Sequence, residues 1–254
     1  MKKALATFTL LLTLISLASA QIINEQYLVN TKTLNMRSGP GKEYDVIKTL
    51  AMGNAVTLIK IYENGWWAVD FEGTQGYVFS SLLKIDPYSG WEKKNYQSGV
   101  TPECENVTPK YDYEIDNYLR INVGSGTDVV VKLMKKGVYS DDCIRIVYVR
   151  SGDTYEIKNI PQGRYYLKIA YGKDYRKKIV DNVCYVKFMK NAQYEKGIEI
   201  LDFSLIKKPN ERIGNKVYES WDVPSFELFL DVIETYGASK KFKASDISEA
   251  EFNK

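Results

Sequence analysis

Site chemistry needs groups that can take up a proton, attack or hold a metal, and this chain of 254 residues supplies them unevenly: 32 Asp and Glu, 3 Cys, 20 Tyr and no His. Without histidine the chain alone cannot build a Ser-His-Asp or Cys-His nucleophilic site, nor a His-ligated zinc. Carboxylate, lysine or tyrosine chemistry remains, yet the acidic residues are scattered among lysines and no pair stands apart. Asp141-Asp142, with Asp128 and Asp153, lacks the alternating ligand spacing of a calcium loop and reads as solvated turns. No catalytic residue, metal or cofactor is expected.

The cysteines are Cys104, Cys143 and Cys184. Three cysteines allow one bridge and one free thiol. In CYVKF, Cys184, Val186 and Phe188 share a strand face, and Cys143 opens the β-like run CIRIVYV, so the favoured pairing is Cys143 with Cys184. Two unpaired thiols in neighbouring strands are the other reading. A bridge over that loop stabilises by roughly 4 kcal/mol in the chain-entropy model.

Whether disulfides persist depends on the compartment. The chain opens MKKALATFTLLLTLISLASAQ: two lysines, an apolar run, then small residues before Gln21. This pattern predicts a signal peptide over 1–20, with an apolar core shorter than the ~20 residues of a spanning helix. The expectation is export to the periplasm or outside the cell, with no membrane span in the mature chain. Cleavage removes Lys2 and Lys3, leaving 33 basic residues against 32 acidic. Such a balance offers no concentrated basic face for nucleic acid, and the runs KDYRKK and KKFK read as solvated turn and tail.

The elements that must position any site are strands. Short β runs at Leu34 to Arg37, Val46 to Leu50, Val56 to Ile61, Trp67 to Phe71 and Gly76 to Phe79 alternate with turn signals, which implies a small closed barrel over 24–86. Residues 87–112 lose the period and read as a linker. Beyond it, alternation at Leu119/Ile121/Val123, Val129/Val131/Leu133, Ile144 to Val149, Tyr155 to Ile160, Tyr165/Leu167/Ile169/Tyr171, Leu201/Phe203/Leu205 and Phe226 to Ile233 predicts an antiparallel β-sandwich over 113–236. The tail, 237–254, carries Ser248-x-x-Glu251, a capping-box spacing for a short helix. The fold expectation is all-β with little helix.

The stretch LNMRSGPGKEY holds Gly39-Pro40-Gly41-Lys42, which suits a type II turn with positive φ at Gly41. It is followed by NGWW at Asn64 to Trp67 and GYVFSSLL from Gly76. In that order and spacing the segment from about Tyr27 to Lys84 closely resembles the bacterial SH3 domain family, SH3b. The resemblance implies an SH3-like barrel of a kind that occurs in exported or envelope proteins and binds cell-wall peptides or other proteins. Peptidoglycan is the first partner it suggests, an envelope protein the alternative. Neighbours on a strand face opposite sides. Trp66 is accordingly assigned to the core and Trp67 to the surface, the reverse order remaining open, and the proposed ligand-binding set is Arg37, Tyr44, Trp67 and Tyr77. In the second half, SGDTYEIKNIPQGRYYLKIAYG looks like the strand, Pro-Gly turn and strand of carboxypeptidase-regulatory or transthyretin-like sandwiches, domains more often structural or adhesive than catalytic.

Overall fold

The computed structural model describes residues 24–214, 216–231 and 243–254. The expected signal peptide lies outside them, as do Val232 and Ile233 at the end of the last expected strand. The chain divides into two compact units, 1–90 and 91–254.

The first unit contains β1 (Gln26–Val29), β2 (Thr33–Arg37), β3 (Val46–Ala51), β4 (Ala55–Ile61), β5 (Trp66–Phe71), β6 (Thr74–Phe79) and β7 (Leu83–Ile85), in the order β3-β2-β6-β5-β4-β1-β7. Five of these follow the expected runs. The first and last strands of the unit, β1 and β7, pair with each other, Tyr27 opposite Ile85, and are too short to show alternation in the sequence. Inward residues fill the core: Tyr27, Leu34, Met36, Leu58, Trp67, Val69, Phe71 and Val78 among them. The β5–β6 connection is Glu72-Gly73 with both φ positive (52° and 80°), the geometry that matches the twist of a tight hairpin.

The turn between β2 and β3 differs from expectation. Gly41 does not take a positive φ, so the type II assignment fails. Its NH instead donates back to the carbonyl of Gly39 at 3.0 Å. Gly39 is needed for space: a Cβ there would lie 2.3 Å from the Tyr44 ring, whereas one on Gly41 would meet only the movable Glu43 carboxylate.

The second unit begins with β8 (Glu92–Lys93), followed by β9 (Tyr118–Val123), β10 (Asp128–Lys135), β11 (Asp142–Val149), β12 (Thr154–Lys158), β13 (Arg164–Val180), β14 (Val183–Gly197) and β15 (Leu201–Asp202). Two small pairs follow, β16 (Ile206–Lys207) with β19 (Trp221–Asp222) and β17 (Glu211–Ile213) with β18 (Lys216–Tyr218). β20 (Phe226–Leu230), β21 (Ala244–Asp246) and the helix α1 (Glu249–Asn253) complete the described chain. The large sheet runs β11-β10-β13-β14-β21, and β12-β9-β20 forms a second sheet. Leu119, Ile121, Ile157 and Leu230 from the smaller sheet join Val131, Leu133, Leu167 and Ile169 from the larger in one apolar core. β20 pairs with β9 in parallel, which departs from the all-antiparallel expectation. Ser248 caps α1 by accepting from Glu251 N at 3.1 Å, as the capping-box spacing indicates.

The segment 91–112, expected as linker, is instead built into this unit. Lys94 N donates to Tyr175 O (2.9 Å), Gly99 N to Tyr148 O (2.8 Å) and Lys110 N to Ile144 O (3.2 Å). It crosses several strands with isolated bonds, so it has no period to detect. On the same face, Tyr96 packs edge-on against Tyr148 and Tyr175.

The cysteine pairing is likewise corrected: Cys104 bridges Cys184 with a Cα–Cα distance of 5.4 Å, and Cys143 is free. Strand order gives the reason. β10 and β13 lie between the strands of Cys143 and Cys184, three steps of ~4.8 Å across the sheet, and the register sets Cys143 level with Tyr166 of β13 but Cys184 level with Ile179, so the two are not cross-strand neighbours within the ~7 Å limit for a bridge.

Candidate functional site

Cross-strand partners project from the same side of a sheet. On the barrel Tyr77 is opposite Arg37 on one side and Ala68 on the other, and Phe79 is opposite Trp66. Arg37, Tyr77, Trp66 and Phe79 therefore share the outer face. Trp67, with the parity of Val69 and Phe71, points inward and packs edge-on against Tyr27 at a centroid distance of 4.8 Å. It is only 5% exposed. Trp67 is therefore removed from the binding set, while Trp66, on the opposite face of the strand, is buried as well at 8% exposed.

Trp66 lies on the outer face but is largely covered, with Phe79 edge-on to it at 5.7 Å and itself 39% exposed. The Phe79 ring also lies against Gly65, where a Cβ would meet it at 3.0 Å and where φ is +82°. Beside this pair, Tyr62 and Tyr77 meet edge-on at 5.6 Å. A hydrogen bond between their side chains is the main cause raising the Tyr77 pKa. Lys60 Nζ stands 5.0 Å from the Tyr62 ring centre, within cation–π range.

Two polar contacts organise the rim. Arg37 Nη1 donates to Tyr44 O at 2.6 Å, holding the exposed Tyr44 beside the β2–β3 turn. Asn64 Nδ2 donates to Pro40 O at 2.9 Å, and Asn64 Oδ1 accepts from Trp66 N at 3.2 Å. Val46, opposite Arg37, extends the exposed apolar surface beyond Tyr44.

Of the four residues expected to bind, Arg37 and Tyr77 are direct cross-strand partners, Tyr44 is tied to Arg37 through its carbonyl, and Trp67 is in the core. Sequence reasoning missed Tyr62, Trp66 and Phe79. The signal for Trp66 was present: Val69 and Phe71 are apolar and share the parity of Trp67, which puts Trp67 inside and Trp66 out.

Chemically, this face offers edges and faces of aromatic rings, a guanidinium held against the backbone, and neutral phenols. Such groups can cover apolar and peptide atoms and orient them through a few hydrogen bonds. Among the described residues no group of three or more Cys, Asp or Glu is placed to hold a metal, and no helix is long and apolar enough to cross a membrane. No curated protein matches the chain. Residues 32–84, which span β2 to the first part of β7, match the family model described as bacterial SH3 domain. With that match falling on the barrel and on the NGWW and GYVF segments that build its outer face, residues 32–84 of this chain are a bacterial SH3 domain.

Proposed function

We propose that the protein is an exported, noncatalytic binding protein whose barrel recognises a peptide-like ligand of the cell envelope, with peptidoglycan as that ligand. The observation that carries this reading is the outward grouping of Tyr62, Tyr77 and Phe79, with the buried Trp66 edge-on to Phe79, beside Arg37 and Tyr44, apolar enough to cover a chain and polar enough to orient it. Export is supported by the paired lysines, apolar run and small residues at the N-terminus. Sedimentation of the full-length mature chain with purified sacculi tests the reading. Cosedimentation that falls at least about tenfold in Tyr77→Ala and Phe79→Ala is the expected result; wild-type protein remaining in the supernatant rejects wall binding.

The second reading is an adaptor that holds an envelope protein. It is favoured by the exposed Ile179, Val183 and Tyr185 around the β13–β14 turn, a surface of the other unit. A partner that stays cross-linked in stoichiometric amount after wall digestion distinguishes it.

A further inference from the structure

The second unit contains a cavity of about 350 Å³ beside the Cys104–Cys184 bridge. Its lining includes Trp91, Glu105, Lys132, Tyr185, Lys187 and Glu249. Lys132 and Glu105 form an ion pair at 3.0 Å with side chains only 9% and 12% exposed. Lys187 Nζ lies 5.2 Å from the Trp91 ring centre. Glu249 stands in the first turn of α1, and Tyr185 is half-exposed.

Charges of both signs therefore line one small space: two ammonium groups and two carboxylates. A simple anion gains from the lysines but meets the glutamates, and a simple cation meets the reverse. Only a ligand carrying both charges gains from both pairs, a selection by unfavourable contact as much as by attraction. The aromatic rings and Val186 give it an apolar wall, and the volume falls within the usual range for small-molecule sites, ~300–1,000 Å³. The disulfide lies in the lining itself and ties the 91–112 segment to β14 there.

We propose that this cleft binds a zwitterionic ligand of amino-acid or dipeptide size, with Lys187 facing its carboxylate, Glu249 facing its ammonium group, and the buried Lys132–Glu105 pair as the polarised floor. The residues of this site all belong to the second unit, and the proposal does not depend on the function assigned to the barrel.

Isothermal titration of the full-length mature chain with alanyl-leucine, its N-acetyl form and its C-terminal amide tests the proposal. Saturable binding of the free dipeptide is expected, weakened at least about tenfold by blocking either end. Lys187→Glu and Glu249→Lys should each weaken it to a similar degree with the circular dichroism spectrum unchanged. Should either charge reversal perturb the fold, Lys187→Gln and Glu249→Gln serve as the milder pair. No saturable heat at about 20 mM dipeptide, far above the ~1 mM at which even weak ligands are half bound, overturns the proposal. Blocked forms that bind as tightly as the free one, or folded variants that bind like wild type, overturn it equally.

Discussion

Asn64 Nδ2 donates to Pro40 O at 2.9 Å, joining the β4–β5 turn to the β2–β3 turn, and Oδ1 of the same side chain accepts from Trp66 N. One exposed amide thus ties the strand bearing the outward tryptophan to the loop bearing Tyr44. Asn64→Ala should cost only about 1 kcal/mol in urea unfolding, because both contacts are exchanged for water. Affinity for sacculi should fall more steeply than stability, since the two loops are no longer held together.

The core tryptophan and the outer tyrosine should separate cleanly. Trp67→Ala empties the barrel core and is expected to cost roughly 3 to 5 kcal/mol. Tyr77→Ala, on the solvent side, should stay within about 1 kcal/mol of wild type while sedimentation with sacculi is lost. A Tyr77 variant as unstable as the Trp67 variant would show that the outer face is structural.

Cys104→Ser should lower the stability of the second unit by up to about 4.5 kcal/mol, the chain-entropy value for a closed loop of that length; the bridged residues are 80 apart in sequence. Cys143→Ser should leave the unfolding midpoint near wild type. Non-reducing peptide mapping provides the direct check: a Cys143–Cys184 peptide in place of Cys104–Cys184 contradicts the strand order.

Burial pushes the Cys143 thiol up to about 11, with Lys132 opposing the shift. At a given pH the folded protein therefore carries less thiolate than a free cysteine. Iodoacetamide should label Cys143 slowly at pH 8, with the rate climbing until about pH 11, whereas a solvated thiol levels off near pH 9. Because the unfolded thiol ionises first, its contribution to stability is present below about pH 8.5 and is lost as pH rises through the folded value. A rate plateau near pH 9 in native protein would contradict the burial.

Much of the fold was legible because alternation is local. Runs such as Val129/Val131/Leu133 and Leu167/Ile169 turn one apolar face inward in any sheet that forms, and the glycines at 65 and 73 mark turns whatever surrounds them. The surface assignment of Trp67 failed for want of weight on Val69 and Phe71, although the parity was there to read. β1 and β7 are different: strands of this length reveal themselves only through the partner they meet.

By itself, the sequence determined an all-β chain, an SH3-type barrel at its start and the absence of any histidine chemistry, because residue type and period-two spacing act over a few positions. Tertiary structure alone decided that Cys184 meets Cys104, that residues 91–112 belong to the second unit, and that Tyr62 and Phe79 join Tyr77 and Trp66 on one face. Those are relations between strands, set by sheet order and register, and spacing along one chain segment does not encode which distant segment lies beside it.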